Sequence, residues 1–512
     1  MCKHLAPSRV PGLSSRQRKE TTHHLRVPNA GPPTSYHVPM RRPVAANTAP
    51  AITSWGATRS VTGSMHLLQS EKQRILLDCG LFLEKGAQLR NREFPFDPCE
   101  IDAVLLTHAH LDHCGNLPTL VKQGFRGPIY CTAATRDLLL PMLEDAANIQ
   151  SIETQYFNNR RAEDEPWLAP LYLQDDVHDM LQHVRSIDYD KPQQLAGDVS
   201  FQFRDAGHVL GSASIHLRLS AGAAERTLTY TGDIGRNGVP LFGPVAPYLP
   251  SELILSEATY GGQTHEPYEH MLDHLADIVE RTIDRGGKVL IPAFSLGRVQ
   301  LIVYSLMLLI AHKRLDRLPI IVDSPLSNKI LDVVQQHTHL LAPSVRKALP
   351  KGKKFLHASY IHYITSVEES KDAMLDDEPG IVIASSGMAE GGRIVHYLKR
   401  HIDDPRCSVI LVSYQSSGSL GWRLMQPGPT VFFAGREWNK WADVQQLRGF
   451  SGHADQSELI NQLSPVISAG ARVHLVHGEE PAMLALQSAL NSIHEGSTHL
   501  AERGETTRIG PT

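Results

Sequence analysis

From about residue 52 onward, short apolar runs alternate with polar punctuation. "AITSWGATRSVTGSMHLLQS", "RILLDCG" and "IDAVLLTHAH" each read as β runs, and the last two end in a loop that carries Asp or His. A helical period follows in "TAATRDLLLPMLEDAANIQ", and strands return in "VSFQFRDAGHVLGSASIHLRLS" and "RTLTYTGDIGR". Strand and helix then take turns: "ELILSEATYGG", a helix over about 266–285, "GKVLIPAFS", a helix over about 296–312, and "LPIIVDSPLS". The alternation continues through "GIVIASSGMAEGG", "CSVILVSYQSSG" and "RVHLVHGEEPAMLALQSAL". Helices alternating with short apolar strands predict α/β layers whose polar residues sit on loops at strand ends. No repeat of fixed period interrupts this order.

Residues 1–50 differ. They hold eight Lys or Arg against one acid, Glu20, with eight prolines and no apolar periodicity. Such a segment cannot bury a core, and it reads as a disordered basic leader. The remaining length exceeds one ordinary core, so two or more domains are expected in the 512 residues. No apolar run reaches the roughly 20 residues that span a bilayer, so no membrane is expected. Six scattered cysteines without a C-x-x-C pair suit reduced thiols and a cytoplasmic protein. The net charge of −4 means that any polyanionic partner must meet a local positive potential.

The densest chemistry is "HAHLDH", with His108, His110, Asp112 and His113 within six positions after the apolar strand "AVLLT". On a strand-to-loop segment alternate residues share a side, so His108 and His110 can reach one ion, while the turn beyond offers Asp112 and His113 to another. Nitrogen and carboxylate donors this close suit Zn²⁺ or a similar divalent metal.

This pattern resembles the H-x-H-x-D-H signature of the metallo-β-lactamase superfamily. "LLDCG" (Asp78), "DAGHVLGSAS" (His208) and "TYTGDIGR" (Asp233) match further motifs in order. The resemblance implies two zinc ions per chain: His108, His110 and His208 on one, Asp112 and His113 on the other, and Asp233 shared. Asp78 would orient the histidines from behind. Further on, "SEATYGG", "GFSGHAD" and "LVHGEE" resemble the three added motifs of the β-CASP branch, the nucleases of the superfamily, and supply Glu257, His453 and His477.

The resemblance implies a metallo-β-lactamase αββα sandwich with an inserted α/β β-CASP domain. The expected division is a first sandwich part over 51–250, the insertion over 251–437, and a return segment over 438–505. It implies hydrolysis with Asp112, Glu257 and His453 in catalytic roles, His453 being held by Glu257 as a proton donor, and with His477 completing the second metal's ligands. In the β-CASP branch a histidine at this last motif goes with RNA-cleaving members, and valine with DNA-processing ones. The chain is thus expected to be a ribonuclease acting on single-stranded RNA, endonucleolytic and with 5′-exonucleolytic action as a further mode, similar to compact bacterial relatives of the cleavage and polyadenylation factor endonuclease. A homodimer is among the assemblies this allows. A small-molecule ester or thioester hydrolase fits less well, given the long insertion. A non-catalytic RNA scaffold fits less well too, because every expected ligand is present. Candidate substrate contacts are Arg298, which opens a helix, and Ser385, Ser386 and Gly387 in "ASSGMAEGG".

Overall fold

The computed structural model describes residues 49–510 except 85, 163–164, 196, 223 and 350–353. The basic leader expected over 1–50 therefore lies, but for its last two positions, outside the described residues. Two seven-stranded sheets and one six-stranded sheet organise the rest.

The first sheet runs in the order Glu505–Arg508, Ala51–Ser54, His66–Gln69, Arg74–Leu77, Ala103–Leu105, Ile129–Cys131, Val184–Ser186. The second runs Thr498–Leu500, Arg472–Leu475, Leu253–Ser256, Ala224–Tyr230, Ala213–Ala221, Val199–Asp205, Gln193–Gln194. Their facing sides share one apolar cluster, in which Leu68, Ile75, Leu77 and Leu105 of the first sheet join Phe201, Phe203, Leu217, Leu228 and Leu255 of the second. The strand Val199–Asp205 shows how the pattern builds this: Val199, Phe201 and Phe203 are buried while the alternate Ser200, Gln202 and Arg204 are partly exposed. Helices cover the outer faces, including Ala133–Asn158 beside the first sheet and Gln456–Ser468 and Glu480–Ile493 beside the second.

The third sheet is wholly parallel, in the order Ile361–Tyr363, Ile320–Asp323, Gly380–Ala384, Lys288–Pro292, Ser408–Leu411, Asp443–Gln446. Its inner strands are buried along their whole length and mostly apolar, as expected where helices bury both faces. The helices expected over about 266–285 and 296–312 are present as Tyr268–Asp284 and Arg298–Ala311. At the edges of the expected insertion, Leu253–Ser256 is paired inside the second sheet, and Asp443–Gln446 is hydrogen-bonded to the third. After the third sheet the chain returns to supply Arg472–Leu475, Thr498–Leu500 and Glu505–Arg508 to the sandwich. The long helix Ala133–Asn158 ties the two halves together, with Asp137 paired to His337 at 2.7 Å and Glu144 to Lys329 at 3.3 Å.

Among the described residues no helix is long and apolar enough to cross a membrane. The five described cysteines are all unpaired.

Candidate metal centre

One edge of the sandwich gathers the polar residues. Arg74–Leu77 and Ala103–Leu105 are parallel, and Asp78 and His108 follow their ends. In the second sheet Ala224–Tyr230, Leu253–Ser256 and Arg472–Leu475 are parallel, and Asp233, Glu257 and His477 follow theirs. Val199–Asp205 runs the same way and leads to His208. Side chains placed beyond the carboxyl ends of parallel strands converge without further folding, which is why α/β sheets bind ligands there. His110 caps the short helix Leu111–Cys114, which turns Asp112 and His113 toward the same point. Gly80 packs directly beneath that helix: a Cβ there would lie 1.7 Å from the Asp112 carbonyl oxygen, so only glycine allows the approach.

Two donor sets result. In the first, His108 Nε2 lies 3.1 Å from His110 Nδ1 and 3.3 Å from Asp233 Oδ2, while His208 Nε2 lies 3.4 Å from each of those two atoms. Donors about 2.0–2.1 Å from a tetrahedral ion are themselves roughly 3.3 Å apart. The 3.1–3.4 Å separations match such an arrangement. In the second set His113 Nε2 lies 3.2 Å from Asp233 Oδ1, and His477 Nε2 lies 3.4 Å from Asp112 Oδ2. Asp233 thus turns one oxygen to each set. Its Oδ1 is buried with no hydrogen-bond partner, an arrangement that costs free energy unless a cation faces it. Burial holds the His108, His110 and His208 imidazoles below their ordinary pKa, His110 at about 3. Neutral imidazole is the form that ligates a metal. At His113 burial is outweighed by the Asp233 and Asp78 carboxylates, which raise the pKa well above its ordinary value, so protonation fits the first donor set, while composition and spacing fit both.

Behind the donors stand two carboxylates. Asp78 Oδ2 is 2.7 Å from His113 Nδ1 and accepts from the hydroxyls of Thr107 at 2.8 Å and Tyr230 at 2.9 Å, while Oδ1 accepts from the Thr107 amide at 2.8 Å. The Thr107 hydroxyl, with its proton directed at Asp78, in turn receives His108 Nδ1–H at 3.0 Å. His208 Nδ1 is 3.0 Å from the Gly452 carbonyl and donates to it. His108, His113 and His208 therefore each have one nitrogen tethered and the other left for the ion.

Glu257 is fully buried, and both its oxygens lie 3.1 Å from His453 Nδ1. His453 Nε2 faces Asp233 Oδ2 at 4.0 Å. Burial alone would lower the His453 pKa, but the neighbouring Glu257 and Asp233 charges outweigh it and raise the group above its ordinary value. The other polar residue of "GHAD" has a structural task. Asp455 caps the helix Gln456–Ser468 through the Glu458 amide and also accepts from the His265 amide, both of which fix the loop that carries His453.

Arg298 reaches the same place from the third sheet's side. A Cβ on Gly452 would lie 3.4 Å from His208 Cε1 and 3.5 Å from Arg298 Nη2. Its buried Nε has no hydrogen-bond partner, and among the described residues no acid pairs with it. Burial pulls its pKa down to about 10. Ser385, Ser386 and Gly387 lie in the turn after a third-sheet strand. They follow Gly380–Ala384, with Gly387 against Phe294, and the Ser386 amide is taken by the Gly391 carbonyl at 3.2 Å.

Sequence reasoning passed over Thr107, Thr259, Tyr230 and the Gly452 carbonyl. The hydroxyls stood beside or between candidate ligands, but threonine is common at strand ends. A carbonyl has no signature in sequence.

Three family models match in order: Metallo-beta-lactamase superfamily over 59–284, Beta-Casp domain over 299–424, and Zn-dependent metallo-hydrolase RNA specificity domain over 441–507. Ribonuclease TTHA0252 of Thermus thermophilus is 40% identical over 456 residues, covering 89% of this chain and 99% of the relative. Transcription termination factor FttA of Pyrococcus horikoshii is 33% identical over 485 residues, covering 90% of this chain and 71% of the relative, and that of Methanosarcina mazei is 30% identical over 472 residues, covering 90% and 71%. The chain belongs to the β-CASP branch of the metallo-β-lactamase superfamily.

Proposed function

We propose that the chain is a zinc-dependent ribonuclease that hydrolyses phosphodiester bonds of single-stranded RNA in the cytoplasm, by internal cleavage and by removal from the 5′ end. The observation that carries this is His453, gripped by Glu257 and facing the carboxylate shared by two metal-type donor sets. The RNA specificity model over 441–507 and the ribonuclease among its relatives support RNA as the substrate.

Two Zn²⁺ ions per chain fit the donors. His108, His110 and His208 would hold one, Asp112, His113 and His477 the other, and Asp233 both. When bound, such a pair supplies Lewis acidity toward the phosphodiester and hydroxide at neutral pH. The chain supplies the rest. With Nδ1 committed to Glu257, His453 presents Nε2–H to the departing oxygen, which would otherwise leave as a costly alkoxide. Its raised pKa keeps that proton available near neutrality. Arg298, a buried guanidinium without an acid, offers its charge to a non-bridging phosphate oxygen. The 385–387 loop would be a further contact for the RNA strand.

The test is purified protein with 5′-labelled single-stranded RNA and with DNA of the same sequence, each with and without chelator. Chelator-sensitive cutting of RNA alone is expected, with product lengths separating internal from end-directed cleavage. Equal cutting of DNA would overturn the substrate assignment, and no cutting by metal-loaded protein would overturn the activity.

A further inference from the structure

The strand-end residue Thr259 lies between two groups that the proposed chemistry treats separately. Its hydroxyl is 2.5 Å from Glu257 Oε2 and 3.1 Å from His477 Nδ1. A hydroxyl has one proton. An ionised carboxylate can only accept, so a 2.5 Å contact requires that proton to point at Glu257. The Thr259 oxygen must then receive its second hydrogen bond, and His477 Nδ1 must carry the hydrogen. This leaves His477 Nε2 bare, and that is the nitrogen turned toward Asp112 Oδ2. The other acceptor within reach of the hydroxyl, the His477 carbonyl at 3.2 Å, is the more distant one. The rest of Glu257 is fully engaged, by the Ile234 amide on Oε1, the Thr259 amide on Oε2 and His453 Nδ1 across both.

We infer that Thr259 is a positioning residue that passes the orienting influence of Glu257 to His477, so that one buried carboxylate sets both the proton donor and the last metal ligand. This rests on the proposed metal-dependent reading and deepens it. The backbone makes such support necessary: His477 adopts φ 46°, a left-handed conformation unfavourable for a residue with a Cβ, so its ring direction must be held by its contacts. Its amide donates to the Ala57 carbonyl; at Nδ1 the Thr259 hydroxyl is the nearer side-chain partner at 3.1 Å, with Asp233 Oδ1 farther off at 3.5 Å. The same device stands across the site, where Asp78, the Thr107 hydroxyl and His108 form an identical series.

The experiment compares Thr259→Val, which keeps the shape and removes the hydroxyl, with Thr259→Ser, which keeps the hydroxyl and removes a methyl. Zinc bound per chain is measured after equilibration against a graded weak chelator, with thermal melting as a check on folding. The valine variant is expected to keep the first zinc and to bind the second about 10–100-fold more weakly, the usual effect of removing a partner behind a metal ligand. The serine variant is expected to bind both as the unaltered protein does. Two zincs held equally tightly by the valine variant would overturn the inference. So would a serine variant that loses the second zinc, because the methyl would then be the group that matters; this arm decides even if the valine variant does not fold. Zinc content is read without RNA. An unaltered protein that binds two zincs and cuts no RNA would therefore defeat the proposed function and leave this inference standing.

Discussion

Asp78 follows the strand Arg74–Leu77 of the first sheet, and Glu257 follows Leu253–Ser256 of the second. Both are completely buried, both accept from a threonine hydroxyl that in turn holds a histidine, and both also face a histidine directly. They differ in what those histidines do. On the proposed reading, His108 and His113 behind Asp78 are both metal ligands. Behind Glu257, His477 is a ligand but His453 is the proton donor. One carboxylate serves metal binding alone, and the other ties metal binding to proton delivery. Removing them should therefore fail in different ways.

The largest effect is expected for Asp78→Ala. It strands the Thr107 and Tyr230 hydroxyls and His113 Nδ1 in a buried space, each at a cost of about 1–3 kcal/mol. Two ligands lose their tether together, so zinc should fall at both sites and the melting temperature with it. Metal analysis and calorimetry read this directly. Retention of both zincs would break the comparison, since Asp78 would then be no more than a packing residue. His453→Ala comes next. It should keep both zincs and its fold, yet lose about 10²–10⁴-fold in kcat with little change in KM, the range for a removed general acid. Metal loss in this variant would show that the two duties of Glu257 are not separable.

How much of this was legible in sequence follows the same division. The residues proposed to touch the ions or the proton are chemically distinctive and ordered along the chain: His108, His110, Asp112, His113, His208, Asp233, Glu257, His453 and His477 all come together at one edge. The alternation of apolar strands and helices also gave the layers. What did not show was the set of contacts formed by ordinary groups. Thr107 and Thr259 look like any strand-end threonine, and the Gly452 carbonyl that holds His208 has no side chain to read. Sheet membership at the edges of the insertion was hidden for a similar reason. Leu253–Ser256 and Asp443–Gln446 are short, and their partners lie across the fold, so local pattern cannot say which sheet takes them.

Arg298 sharpens the comparison from the substrate side, because it approaches His208 and Gly452 without touching either carboxylate. Arg298→Gln should leave zinc content unchanged and raise KM for RNA by about 10–150-fold, in line with one charge-assisted hydrogen bond of about 1.5–3 kcal/mol. The salt dependence of KM should become shallower, since one fewer phosphate is neutralised. An unchanged KM would mean that substrate phosphates pass elsewhere, and attention would return to the 385–387 loop.

The smallest effect concerns histidines outside the candidate metal centre. His216 in the second sheet, His474 in the returning strand and His401 beside the third sheet are each pushed by burial to a pKa of about 4. In the unfolded chain a histidine takes its proton near pH 6.5, whereas in the fold these three resist until about pH 4. The unfolded state thus binds more protons across that window, and stability is full above pH 6.5 and falls progressively as the pH drops toward about 4. The site histidines obey a different rule: once a metal occupies them, acid must first displace the ion. Melting temperature measured from pH 7 to 4 on zinc-loaded protein should therefore show a gradual decline even before zinc is released, and replacing His216, His401 and His474 together with Gln should flatten that early part. If the triple variant declines as steeply as the unaltered protein, acid sensitivity resides wholly in the metal centre and its two buried carboxylates.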